Sequence, residues 1–319
     1  MSVVAIGLLG YRFLNWPILP SFIFASMIGG ETTAPVVLPL SKSLKFPEVT
    51  VAFLTIESVA NSILSIVLFF AFVGIYTTGS ANWLITTFTI ASEFSIGIAL
   101  GAILSLEWVY LLYRFQKQKF TYVLTLGLVF VTYSVTARLG GSGELAVLIF
   151  GIILGNYYLV NRLIRSHINI DALQKQLGTF QEEISFLMET LFFVILGLTF
   201  VITPSLIIEN LIIGLIMLVV LITIRVVATS ISTFKSELSK EKQEIVLMCA
   251  QGLVPATLAI LAVNLQIPLA GTFINLVTYV IILTNIVTAV GSILKRRRQK
   301  QSFRDFMQSL DESLLHGYS

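Results

Sequence analysis

Chemistry can be argued first from Glu57 and Arg225, because each is an ionisable side chain set inside an apolar run, LTIESVANSILSI and LVVLITIRVVA. If those runs cross lipid, each charge costs about 2.5–3.5 kcal/mol at the bilayer centre. Pairing the two satisfies both, whereas one left alone would be worse than either with its partner. A carboxylate held this way can take up and release a proton or a cation. Alternatively, it can clamp two helices in register, and residue type alone leaves both roles open. Glu31 is the third candidate, placed directly after Gly29-Gly30. A break in a helix there frees backbone amides and carbonyls, which a membrane tolerates only where protein or a cavity surrounds them. Glu93, Glu107, Glu144 and Glu189 lie nearer the ends of apolar runs and read as interfacial, with Glu93 and Glu189 able to face a water-filled cavity.

Other chemistries have little to stand on. Cys249 is the single cysteine, and His167 and His316 are far apart, so a disulfide framework and a Cys- or His-ligated metal are not expected. The chain has no His-Glu-x-x-His pattern, no Gly-x-Ser-x-Gly elbow and no phosphate loop, so neither an enzyme nor a cofactor is expected. A net charge of +3, with basic residues spread along the chain, gives no support to nucleic-acid binding.

The elements that must position these residues follow from composition. Of 319 residues, 56% are hydrophobic and 12% charged, with mean hydropathy +0.92. Ordinary globular chains carry about 25% charged residues. So little charge cannot cover a water-facing surface, and an all-α membrane protein is expected. A crossing helix needs ~20 mostly apolar residues. Candidate spans fall near 1–14, 17–40, 49–75, 83–112, 120–138, 143–160, 184–203, 206–232, 243–264 and 270–294, which makes ten. The second is interrupted by Gly29-Gly30, Pro35 and Pro39, and the ninth around Gly252 and Pro255. Paired interrupted helices are the best sequence pointer to a transporter's binding site.

Basic residues set the orientation. With the C-terminus cytoplasmic, the inside loops and the tail hold all of the 20 Lys and Arg residues except Arg12, Arg138 and Arg225. Residues 1–294 are expected to form the transmembrane domain and 295–319, opening KRRRQK, a short basic cytoplasmic tail. Residues 163–183 read as a polar, helix-permissive linker. Localisation is expected in the plasma membrane, multi-pass, with the lipid bilayer as surroundings.

Beyond these physical readings, the block ASMIGGETTAPVVLPLSKSLKFPEVTVAFLTIESVANSILSIVLF at 25–69 resembles the fifth and sixth helices of Na+/H+ exchangers in the cation:proton antiporter superfamily. In that family a Thr-Asp-Pro break precedes a Glu-Ser-x-x-Asn-Asp motif. EEISFLMETLFFVILGL at 182–198, Arg225 and AQGLVPATLAI at 250–260 are similar to later blocks of the same family, in the same order. The resemblance implies a partial inverted-repeat antiporter fold with two broken crossing helices. The ten spans would correspond to the last ten of thirteen, so the first three, which include helices that open the first inverted repeat and contribute to the dimer contact, would be missing.

The resemblance also implies exchange of a monovalent cation, Na+ or K+, for H+ by a carboxylate for which the two compete, in a homodimer. Carried over residue by residue, Glu57, Ser58 and Asn61 match the motif, and Arg225 would hold Glu57 ionised. Ser62 stands where the family has its ion-binding Asp. Thr33, next to Thr32, or Ala34 stands at the other Asp, and Gln251 at the Arg of a Pro-Arg-Gly block. A cation would then be held by Glu57, Ser58, Asn61, Ser62 and the opened carbonyls at Thr32 and Thr33. Either Glu31 replaces the lost carboxylate or Glu57 itself titrates. The alternative implied by these departures is a degenerate non-transporting or channel-like relative.

Overall fold

The computed structural model describes residues 1–30, 32–78, 83–115, 120–157, 171–199 and 207–316, and all regular structure among them is helical. In chain order the helices are α1 (Ser2–Phe13), α2 (Ile18–Ile28), α3 (Ala34–Ser43), α4 (Glu48–Thr78), α5 (Trp83–Phe115), α6 (Thr121–Arg138), α7 (Gly143–Gly155), α8 (Asp171–Thr199) and α9 (Ile207–Ser232). A 3-10 turn, Glu237–Glu241, then leads into α10 (Lys242–Leu247), α11 (Leu253–Asn264) and α12 (Ala270–His316).

Among the described residues, five segments are long and apolar enough to cross a membrane: Glu48–Thr77, Ala91–Leu112, Thr121–Arg138, Ile207–Ser232 and Ala270–Arg297. At 1.5 Å per residue the 31 residues of α4 reach about 46 Å, well beyond the ~30 Å hydrocarbon core. Each of the ten expected runs holds a helix or an interrupted helix pair, but several are short. The second is split into α2 and α3, and the ninth into α10 and α11. Helix α8 enters the expected linker at Asp171 and runs without interruption into the apolar stretch after residue 184. The boundary expected at residue 295 falls inside α12, which stays helical to His316.

By contact the chain forms two compact units, Met1–Val73 with Phe192–Ser319, and Gly74–Leu191. The first contains α2, whose residues are buried nearly all round, as expected of a helix with no polar face. Ile23, Phe24, Met27 and Ile28 pack with Phe69, Met217, Ala259 and Phe273. Trp16, Phe24 and Phe273 form an aromatic knot with ring centroids 5.1–5.3 Å apart. In the second unit, Trp108, Val109, Leu112, Phe150 and Tyr157 join α5 to α7. Gly101 lies against the Ala146 backbone, so α5 and α7 approach more closely than a side chain there would permit. Large apolar side chains such as Phe88, Phe130, Leu198, Val219 and Ile231 are more than half exposed, which suits lipid rather than water.

A second cluster in the first unit gathers Val37, Leu44, Phe46, Leu54, Ile245 and Met248 around the two half-helices α3 and α10. Lys295 of α12 closes it. Its Nζ donates to Glu241 Oε2 at 3.1 Å, lies 3.2 Å from Glu244 Oε1 and sits 4.1 Å from the centre of the Phe46 ring. The carboxylates hold the ammonium and the ring covers it. Removing the charge with Lys295→Met is expected to cost about 1 kcal/mol, or roughly 2–4 °C in thermal unfolding of the purified protein. The difference should shrink at high salt. Equal melting at low salt would remove Lys295 from this role.

Candidate functional site

The two interruptions cross each other. Between α2 and α3 the backbone leaves the helix after Ile28, with Gly30 at φ +139°, a conformation that side chains seldom adopt. Between α10 and α11 it leaves at Met248 and resumes at Leu253. The Thr33 amide donates to Ala250 O at 2.8 Å, which ties one break to the other. Gly252 lies directly against Thr33, where a Cβ would stand 2.6 Å from its Oγ1.

Breaking two helices in a low-dielectric interior frees carbonyls that must find donors. Neighbouring side chains supply them. The Ser58 hydroxyl donates to Thr32 O, and Asn61 Nδ2 donates to Gly30 O at 2.9 Å. Gln251 Nε2 reaches Ile28 O at 2.8 Å. From α12, Thr288 Oγ1 donates to Leu247 O at 3.0 Å and accepts from the Cys249 amide at 3.2 Å. Asn285 Nδ2 donates to Gln251 O at 2.8 Å, and the Gln251 amide donates to Thr284 Oγ1 at 3.3 Å.

Arg225 is the hub. Its Nη1 donates to Glu57 Oε1 at 2.6 Å and to Thr32 Oγ1 at 3.1 Å. Nη2 donates to Glu57 Oε2 at 3.3 Å, Ile245 O at 2.9 Å and Met248 O at 2.8 Å. Nε donates to Ile245 O and Val246 O, both at 3.2 Å. One planar guanidinium therefore binds the carboxylate two-pronged and caps the end of α10. The fixed fork of five N–H donors makes both possible at once. The two side chains are 11% and 20% exposed, so the pair is largely withdrawn from water.

A cavity of about 540 Å³ opens on this crossing, with Glu57, Asn61, Arg225, Cys249, Gln251 and Thr284 in its polar wall. Phe22, Phe72 and Leu221 contribute to the apolar remainder. Of the residues singled out in the sequence, Glu57, Asn61 and Arg225 reach this cavity. Ser58, Thr32 and Thr33 lie at the crossing, each under 5% exposed, and spend their bonds on holding it together. Ser62 turns its hydroxyl back to Ser58 O at 3.0 Å along its own helix. Glu31 lies outside the described residues.

Sequence reasoning did not single out Thr284, Asn285 and Thr288, and it placed Gln251 only as a departure. The available signal was polar residues one turn apart in the otherwise apolar run of α12, on the face that meets the second break. Among the described residues, no group of three His, Cys, Asp or Glu side chains could hold a metal.

Two interrupted helices that meet at their breaks, with a buried ion pair beside a cavity, form the kind of site that polytopic ion transporters build. The sodium/hydrogen exchanger transmembrane family matches residues 1–296, and the chain belongs to that family. It is therefore a multi-pass membrane protein of a transporter family. Two relatives are similar to it over part of its length. It is 28% identical over 200 residues to the Na(+)/H(+) antiporter ApNhaP of Aphanothece halophytica, covering 62% of this chain and 37% of that protein. It is 26% identical over 204 residues to the Na(+)/H(+) antiporter NhaP of Pseudomonas aeruginosa, covering 62% and 46%. The chain thus spans less than half the length of each of these relatives.

Proposed function

We propose that this chain is a secondary transporter that exchanges a monovalent cation, Na+ or K+, for protons, with Glu57 as the carboxylate for which the two compete. The observation that carries this reading is the Glu57 carboxylate, held by Arg225 in the wall of the cavity where both helix breaks cross. Arg225 takes one lone-pair direction on each Glu57 oxygen, and a carboxylate has about four. The remaining directions can accept a dehydrated cation or a proton. The crossing supports the alternation of access that such exchange requires, because two unwound segments can move with few helical bonds to break. Glu31 is the alternative proton carrier.

The same reading places the protein in the plasma membrane with its C-terminus cytoplasmic, on the distribution of Lys and Arg. It takes the assembly to be a homodimer, by analogy with the family's habit. It also keeps residues 1–294 as the exchanging domain and the segment from Lys295 as a basic tail.

A second reading is favoured by Ser62 and Thr33, which stand where the family resemblance leads one to expect carboxylates. In it the chain is a non-exchanging or channel-like relative. The deciding experiment is proton flux in proteoliposomes, read by an interior pH dye, with Na+, K+ and choline pulses and a Glu57→Ala control. Cation-triggered pH change that vanishes in the variant is expected. Current without obligatory proton counterflow, or no flux from folded, inserted protein, selects the second reading.

A further inference from the structure

We propose that Gln251 supplies a side-chain carbonyl ligand to the transported cation, an assignment that rests on the exchange reading only in placing a cation in this cavity. Gln251 is 2% exposed and is fixed on three sides. Its amide nitrogen Nε2 donates to Ile28 O at 2.8 Å, its backbone N–H donates to Thr284 Oγ1 at 3.3 Å, and its backbone oxygen accepts from Asn285 Nδ2 at 2.8 Å. The bond to Ile28 O settles which end of the side-chain amide is the oxygen, because a carbonyl cannot face a carbonyl. Oε1 is then left over. It is sealed from water and has no hydrogen-bond partner among the described residues.

An amide oxygen in that condition destabilises the protein until something electropositive reaches it. The polar groups around it make their described bonds elsewhere. Asn285 Nδ2 already donates to Gln251 O and Ile281 O, and Thr284 Oγ1 donates back to Val280 O at 2.8 Å. Asn61 Nδ2 gives one of its two N–H bonds to Gly30 O. The residue lines the same cavity as Glu57 and Asn61, so a cation entering there meets one carboxylate and two amide side chains. Amide and backbone carbonyl oxygens are the donors that hard, weakly polarising cations accept when they shed water. Because Oε1 is closed to water, a cation must lose hydration on that side to reach it. Gln251 therefore acts on affinity and on the choice among cations rather than on the proton.

The test uses the full chain purified in detergent, with thermal unfolding followed as NaCl, KCl or LiCl replaces choline chloride at constant ionic strength. Two variants separate the ligand role from the bond to Ile28: Gln251→Met, which has no oxygen, and Gln251→Glu, which keeps an oxygen but loses the N–H. Both lose the Ile28 bond, so both should melt lower than wild type in choline. The expected result is a cation-specific rise of several degrees for wild type. Half-effect should come at ten-fold or more higher concentration in Gln251→Met, and at equal or lower concentration in Gln251→Glu. Equal weakening of both variants, wild-type response in Gln251→Met, or no cation-specific shift in wild type overturns the proposal.

Proteoliposome flux with the same proteins keeps the two readings apart. Exchange with unchanged KM in Gln251→Met sinks the ligand role and leaves exchange standing. A Gln251-dependent cation shift without flux does the reverse.

Discussion

Arg225→Lys is expected to abolish exchange and to destabilise the protein by about 3 kcal/mol or more, although the positive charge is kept. The guanidinium serves both oxygens of Glu57, Thr32 Oγ1 and the carbonyls of Ile245, Val246 and Met248. An ammonium has three N–H bonds and no fork, so at least three of these acceptors lose their donor. Each buried acceptor left unmade costs about 1–3 kcal/mol. The loss should appear as a fall in melting temperature on the order of 10 °C, measured on the purified variant beside wild type. Glu57→Gln should do less to the carbonyl caps but leave Arg225 as an uncompensated charge. If Arg225→Lys melted within ~2 °C of wild type, the capping of α10 by this side chain would contribute little and the pair would be a matter of charge alone.

The second large effect is expected from the smallest change. Gly252→Ala adds a methyl that would stand 2.6 Å from Thr33 Oγ1 and 2.8 Å from Thr33 Cβ, closer than real carbon contacts come. Thr33 has no room to retreat. It is 4% exposed, its amide is bonded to Ala250 O, and it precedes α3 as the N-cap residue. The breaks must therefore part by several tenths of an ångström, lengthening the Thr33–Ala250 bond and disturbing the oxygens around the cavity. Exchange should drop by roughly ten-fold or more, consistent with the sensitivity of sites to sub-ångström misplacement. Thr33→Gly in the same chain removes the colliding atoms and should restore much of the loss. A double-mutant cycle on melting temperature and flux would then show strong coupling. Additive effects would mean that the methyl finds room by another route.

Much of this is legible in the sequence. Apolar run length placed the helices, because lipid demands length, and the glycine and proline interruptions marked both breaks. Glu57 and Arg225 declared themselves because a charge in an apolar run is costly enough to need a partner. What stayed hidden was of a different kind. Thr284 and Thr288 can each satisfy a hydroxyl on the carbonyl one turn back, as Thr284 does with Val280 O. Their one-turn spacing in an apolar run is therefore only a weak sign that they also serve a second backbone.

Ser62 shows the converse. Its position suggested a ligand, and its hydroxyl donates to Ser58 O within its own helix. Gln251 read as a lost arginine, and only the bond to Ile28 O shows which of its two ends is left open. The length of α12 was hidden too, because the KRRRQK run marks where lipid ends but not where a helix does. No glycine or proline follows Gly291 until residue 317.

That last helix has a mechanical meaning. Its 47 residues make a shaft of about 70 Å, with Thr284, Asn285 and Thr288 on one part of its length and the basic segment on another. Lys295 acts as a bearing against Glu241, just before the half-helix that Arg225 caps, and Glu244 within it. There is no joint between the two ends. Torque applied at the far end would be carried to the turn that holds the second break, so a hold on the basic segment would act on the site from a distance.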